Sequence, residues 1–381
     1  MSSRLTTART VEEVDALRET WAELGPRDPN ADPDVLLTLL EARDGILRPH
    51  VVAAQTDAGR ALLVGRLERT RLPVRLGYLR LYSPEVRALT VVQGGALGDG
   101  GEALRAVLAE AARVLETGEA DVLRLRALPV GSELHRLARA RGTWRTRGRT
   151  AGSTPRWRLA LPGSLDEVLQ FQSGKSRGNE RRSARKLEQE LGDSLSFEVY
   201  RDPADVPRVL QECRAVSEKT YQHALGAGFA AGEAERRLLE LAAERGWLRA
   251  YVLSVAGEPR AFWVGNAYRR VFYAGPTGYD PAIAHLRAGR YVLRRMLDEL
   301  CRDPEVDELD WGHGDGDYKP HFSTHAWREE DVLLFAPTFR GARLSLTRTA
   351  FFRAAAAAQR AGGRVPALRN VKRRWRARLS R

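Results

Sequence analysis

Two sixteen-residue stretches, "HVVAAQTDAGRALLVG" at 50–65 and "AYVLSVAGEPRAFWVG" at 250–265, lie 200 positions apart and share a design. Each alternates apolar and polar residues, turns at a glycine and closes on R-A-x-x-V-G, which predicts the same β-hairpin twice. A helix precedes each hairpin: "DPDVLLTLLEARDG" (32–45), with Asp32 as N-cap and Pro33 at N1, and "GEAERRLLELAAERG" (232–246). Both close on glycine. After each hairpin come a third β segment ("RALTVVQGG", "RRVFYAGPTGYD"), an amphipathic helix ("GEALRAVLAEAARVLE", "AGRYVLRRMLDELCR") and a short strand ("ADVLRLRAL", "VDELDWGHG"). An order of elements that repeats along with its periodicity predicts structural duplication. The expected fold class is α+β: two tandem domains, each a twisted, mainly antiparallel sheet flanked by helices. Only the second copy has the extra helical segments "SLDEVLQFQ" and "SRGNERRSARKLEQEL", so the halves are not equivalent.

The chain of 381 residues suits two domains, and its 43% hydrophobic content can build two cores. We place them at 1–154 and 155–338. The net charge of +13 looks like a nucleic-acid footprint until it is located. From Phe339 onward there are twelve arginines and Lys372 with no acidic residue, so residues 1–338 are formally neutral and the basicity is a tail, 339–381. No run approaches the length of a membrane span and the N-terminus lacks the apolar stretch of a secretory signal, so the expected location is cytoplasmic. Cys213 and Cys301 have neither metal-ligand nor redox spacing. Only five cations are lysines: Lys175, Lys186, Lys219, Lys319 and Lys372.

Chemistry concentrates in "DWGHGDGDYKPHF", 310–322. Its aspartates do not satisfy the calcium-loop pattern, and His321 and His325 lack the glutamate of a zinc helix, so no metal site is expected. A second concentration, "SGKSRGNERRSARK" (173–186), places hydroxyls, a glycine and cations at a helix start, an arrangement that suits a phosphate.

These two motifs resemble those of the GNAT-like acetyltransferases found in cellulose and exopolysaccharide biosynthesis, which share a double-GNAT fold with the Fem peptidyltransferases. The resemblance covers residues 160–335 best. It rests on a basic S-x-K-x-R-x-x-x-R-R helix entry, and on a strand ending at Asp310 that runs through a Gly-rich turn to Tyr318-Lys319 with Phe322 beyond. It implies acyl transfer to an amine, with acetyl-CoA as co-substrate. In such folds the pyrophosphate lies at a helix N-terminus, here Arg287, Ala288, Gly289 and Arg290, although only one glycine of the usual pattern is present. Lys319 is then expected to stabilise an oxyanion or a donor phosphate, Tyr318 to protonate the leaving thiolate or orient the donor, and Asp315 or Asp310 to accept the amine proton. Ser173, Lys175, Arg177 and Arg182, with Tyr273 and Tyr279, are expected to bind the acceptor, an amino sugar or lipid-linked envelope precursor.

"LSLTRTAFFRAAAAAQRAGG" reads as an amphipathic, alanine-rich helix. In "VPALRNVKRRWRARLSR" cations interleave with Leu and Trp375, which suits an anionic membrane surface and peripheral attachment at its inner face. Two rivals stand beside acetyl transfer: a Fem-like transferase using aminoacyl-tRNA, with the tail gripping tRNA phosphates, and a catalytically silent scaffold.

Overall fold

The structure is a computed structural model that describes residues 4–76, 79–98, 100–150, 152–220, 229, 231–314, 316 and 318–363. Among these the chain forms two compact units: unit 1 runs to Thr154 and resumes at Arg328, and unit 2 holds Pro155 to Trp327. The sequence suggested three consecutive segments instead. The difference lies in the last strand, which leaves unit 2 and pairs within unit 1.

Unit 1 begins with β1 (Arg4–Ala8), α1 (Val11–Asp15), α2 (Arg18–Leu24) and α3 (Pro33–Ala42). The hairpin β2 (Ile46–Thr56) and β3 (Gly59–Arg71) follows, then the small pair β4 (Val74–Leu76) and β5 (Leu79–Tyr82). After β6 (Glu85–Gly98) come α4 (Gly101–Glu116), β7 (Val122–Pro129), α5 (Glu133–Ala140) and β8 (Arg147–Gly148). Unit 2 has β9 (Thr154–Ala160), α6 (Leu165–Gln170), α7 (Gly174–Leu191), β10 (Leu195–Tyr200), α8 (Val206–Glu218) and α9 (Glu233–Glu244). Its hairpin β11 (Leu248–Val255) and β12 (Glu258–Tyr268) leads to β13 (Val271–Tyr279), α10 (Ala288–Arg302) and β14 (Glu308–His313). β15 (His325–Phe335) and α11 (Phe339–Gly363) close the described chain.

The sheet order is β1-β2-β3-β6-β7-β15 in unit 1 and β9-β14-β13-β12-β11-β10 in unit 2. Each sheet is mixed: every pair is antiparallel except β6–β7 and β13–β14, which are parallel because a helix, α4 or α10, crosses over between them. Both helix–hairpin–strand–helix–strand series expected from the sequence are present. In unit 1, α4 buries Val107, Leu108 and Ala111 on one sheet face while Trp21 and Leu36 pack the other. In unit 2, α10 buries Val292, Met296 and Leu300 with α6 and α7, and α8 and α9 cover the opposite face.

The glycine ending each quoted stretch has a packing reason. In unit 2 the register steps from Trp263↔Thr277 to Gly265↔Ala274, so β13 bulges opposite Val264. A Cβ on Gly265 would sit 2.3 Å from the Phe272 ring and 2.5 Å from the Tyr273 carbonyl oxygen. In unit 1 the step from Leu63↔Ala96 to Gly65↔Val91 makes a wider bulge at the same place, with the Thr90 carbonyl oxygen 3.0 Å from a Cβ on Gly65.

A second bulge is pinned in both units by an aspartate, with the charges exchanged. In unit 2, β14 carries Asp310 and β9 carries Arg156; in unit 1, β7 carries Arg124 and β15 carries Asp331. The aspartate accepts the bulge N–H, from Gly312 at 2.8 Å or from Ala127 at 3.0 Å. Both bulge residues have positive φ, +67° and +50°.

The basic segment does not behave as a separate tail up to the limit described. α11 starts at Phe339 and buries Leu344 against Leu72, Val86 and Phe335, while Phe351 stacks on Tyr82 at 5.2 Å. Arg340 pairs with Asp121, and buried Arg348 donates to the carbonyls of Leu72, Pro73 and Arg149. Residues 364–381, which hold Trp375 and the densest basic run, lie outside the described residues. No helix among the described residues is long and apolar enough to cross a membrane.

Candidate functional site

The parallel pairing of β13 with β14 lasts three residues, Val271–Tyr273 against Glu308–Asp310. Beyond it β14 keeps β9, and β13 keeps only β12 as far as Tyr279. The two strands part, and Gly275, Pro276 and Thr277 are exposed along the edge of β13 that β14 has left. Unpaired backbone N–H and C=O groups along such an edge are ready partners for an extended, amide-bearing ligand.

Behind the edge lies the first turn of α10, entered through Arg287 at φ +58°. Helix geometry leaves the earliest N–H groups of that turn without acceptors in the helix. Gly289 has the Tyr279 ring against it, 3.1 Å from where a Cβ would sit. Arg290 donates through Nε to Glu180 Oε1 at 3.0 Å and pairs with it through Nη2 as well; Tyr291 donates to Glu188. α7 thus packs its Glu180–Ala184–Leu187 face on α10. A cavity of about 10 Å³ remains between them, lined by Glu180, Ser183, Arg287, Arg290 and Arg294 among others, scarcely room for one water. Nη1 of Arg294 is buried without a hydrogen-bond partner. Sequence reading passed over Arg294, although its i+4 spacing from Arg290 signals a shared face.

Tyr318 stands edge-on to Trp311 of β14 at 5.5 Å and to Trp263 of β12 at 6.1 Å, close to where the strands part. Burial pushes its hydroxyl up to about 12, with the Arg290 cation opposing. Arg290 also lies over the Phe322 ring at 5.6 Å. Tyr318, Arg290 and Phe322 therefore come together, from positions 28 and 32 residues apart in the chain.

Three expectations need correction. Asp310 is 1% exposed and accepts from Arg156 Nε on both oxygens (3.0 and 2.9 Å), from Arg158 Nη2 (3.1 Å) and from the Gly312 N–H. Both guanidiniums lie over Trp327. A carboxylate so fully engaged is a strut, not a base for an incoming amine. Lys319 does not project towards an oxyanion: it is 7% exposed, and its ammonium donates to the His313 carbonyl at 2.7 Å, with that of Gly312 at 3.4 Å. It closes the turn after β14, aided by Trp311 Nε1 on the Phe322 carbonyl at 2.7 Å. Asp315 lies outside the described residues. The third correction concerns α7. Ser173 caps its N-terminus by accepting from the Ser176 N–H, and Arg177 reaches back to the Gln172 carbonyl. Lys175 and Arg182 are exposed, and Arg182 stands two residues, about 200° of helical rotation, from Glu180. Arg182 therefore faces away from α10. Of the two tyrosines, Tyr273 is half-buried at the last parallel register position and Tyr279 is exposed beside Gly289.

Against known proteins, residues 174–320 match the family model described as an acetyltransferase (GNAT) domain. The matched stretch lies within unit 2. No curated protein matches the chain. Among solved structures the chain is similar to FemX, at 12% identity over 88% of this chain and 97% of that one, with a TM-score of 0.55. It is also similar to the C-terminal domain of a putative lysylphosphatidylglycerol synthetase from Agrobacterium fabrum, at 13% identity over 88% and 96%, with a TM-score of 0.52. At such identities the likeness is one of fold.

Proposed function

We propose that unit 2 is a GNAT-type N-acyltransferase that takes its acyl group from a coenzyme A thioester. The observation that carries this is the three-residue parallel pairing of β13 and β14, which leaves the β13 edge open directly before the N-terminus of α10. The residues present suit such a donor. The open edge offers backbone groups to its amide-bearing arm, and Arg287, Arg290 and Arg294 flank the helix start where its phosphates belong. Glu180 now pairs with Arg290, so a phosphate there has to replace that carboxylate. When bound, the thioester supplies an activated carbonyl and a thiolate leaving group.

Tyr318 is the residue we assign to give the thiolate a proton, because its hydroxyl is protonated at neutral pH and its ring stands beside Trp311 and Trp263, close to where β13 and β14 part. In this reading Asp310 and Lys319 take structural roles. The acceptor we assign is an amine on an amino sugar or a related envelope precursor carrying phosphate. The exposed Lys175 at the N-terminus of α7 supports that class.

Titration calorimetry with coenzyme A and with a panel of tRNAs tests the reading. Coenzyme A is expected to bind, and Arg290→Gln to weaken it about tenfold or more. Tight tRNA binding without coenzyme A binding moves the assignment to a Fem-like aminoacyl transferase, and binding of neither leaves a silent scaffold. In the active enzyme Tyr318→Phe is expected to lower kcat about 100-fold or more at unchanged KM. An unaltered kcat removes Tyr318 from the mechanism.

A further inference from the structure

Across one face of the unit 1 sheet, a charged strip separates two apolar clusters. On one side lie Trp21, Leu36, Leu62 and Val64; on the other lie Val86, Val122, Leu333 and Leu344. Arg66 of β3 is in register with Thr90 of β6, and Thr90 with Arg124 of β7. Glu68, Arg126, Asp331 and Arg348 join the strip, and Glu329, buried, stands two residues before Asp331 on the same face of β15.

Most of these groups answer one another. Glu68 accepts from Arg66 Nε at 3.0 Å and from Thr90 Oγ1 at 2.7 Å. Asp331 accepts from Arg124 Nε and Nη2 and from the Ala127 N–H. The Nε of Arg126 is shut off from solvent and has no hydrogen-bond partner. Burial, with repulsion from Arg124 and Arg66, draws the pKa of Arg126 below the usual guanidinium value, while Asp331 and Glu68 oppose the shift. Four guanidiniums share the strip with three carboxylates. A buried N–H without an acceptor is destabilising. In unit 2 the corresponding bulge carries Trp311 in place of the arginine, so the arrangement is peculiar to unit 1.

We propose that this strip is an anion-binding site in which the Arg126 guanidinium takes an oxyanion, a phosphate or carboxylate group of a small ligand. The planar fork of a guanidinium matches both groups. Solvent reaches the strip, since the Arg124 and Asp331 side chains are 28% and 32% exposed. The site lies within unit 1 and does not depend on acyl transfer in unit 2.

The test is thermal unfolding of the full chain in chloride, with inorganic phosphate or acetate replacing chloride at constant ionic strength. Above the half-saturating concentration, the better oxyanion is expected to raise Tm by roughly 3–5 °C per tenfold increase. Arg126→Met is expected to melt in chloride no lower than the parent, because a desolvated cation has gone, and to lose most of the oxyanion response. Arg290→Gln, at the unit 2 helix start, is expected to keep it. Three results overturn the proposal: no response to either oxyanion, half or more of the response surviving in Arg126→Met, or the response vanishing in Arg290→Gln. If Arg126→Met does not fold, Arg126→Lys decides. Its half-saturating concentration should rise several-fold at unchanged Tm in chloride, and an unchanged concentration refutes the site.

Discussion

Substituting Asp310 by Asn distinguishes a strut from a catalytic base. The carboxylate is inaccessible and holds two guanidiniums, of which Arg156 is 5% exposed and Arg158 has a second acidic partner, Glu308, at 2.9 Å. Asn keeps the shape but removes the charge, and it turns one acceptor into an N–H₂ facing the Arg156 donor. Breaking a buried pair from one side costs about 3–5 kcal/mol, because the remaining charge stays buried without its partner. Arg158 retains Glu308 after the substitution. For a unit of this size each kcal/mol shifts Tm by about 2–4 °C, so the melting temperature of unit 2 should fall by roughly 6–20 °C. The assay pairs a thermal melt with acyl transfer measured well below the lowered Tm. The folded fraction should retain kcat within about tenfold, with its acid pH limb unmoved. Unchanged stability together with a 100- to 10,000-fold loss of kcat would show that Asp310 acts as a base, and would refute the reading.

The bulge glycines should rank by proximity: Gly265→Ala is expected to cost about 1–3 kcal/mol and Gly65→Ala less, since its nearest atom is 3.0 Å rather than 2.3 Å from a new Cβ. Denaturant midpoints in the reverse order would reject the packing argument. Stability in acid should depend on Asp303. Its burial opposes ionisation, but Arg249, reinforced by Arg201, holds its pKa below the ordinary 3.8. A folded value below the unfolded one gives stabilisation that is complete above 3.8 and is lost as pH falls through the folded value. Asp303→Asn should therefore flatten the fall in urea midpoint below pH 3.8; an unaltered slope would show that the pair carries none of it.

Duplication was legible because both repeats obey local rules. Asp32 and Pro33 announce a helix start, Gly265 ends a strand pattern, and apolar spacing sets α4 and α10 to the residue. α11 was legible as an amphipathic helix but not as part of unit 1, because Leu344 and Arg348 find partners in Val86 and in the carbonyls of Leu72 and Pro73, more than 200 residues earlier. The same limit governs the site. Nothing near Lys319 says that its ammonium will meet the carbonyls of Gly312 and His313, and nothing near Arg290 announces Glu180, 110 residues away.

By itself the sequence determined the order of elements, the crossover helices and the two aromatic and basic motifs, since these follow from periodicity, capping and glycine placement within a few turns of chain. Only the tertiary structure decided which charges are occupied. Asp310 becomes a strut, Lys319 a clasp, and Arg126 a guanidinium whose buried Nε lacks an acceptor, because long-range pairing of strands and not local spacing sets the neighbours of a buried charge.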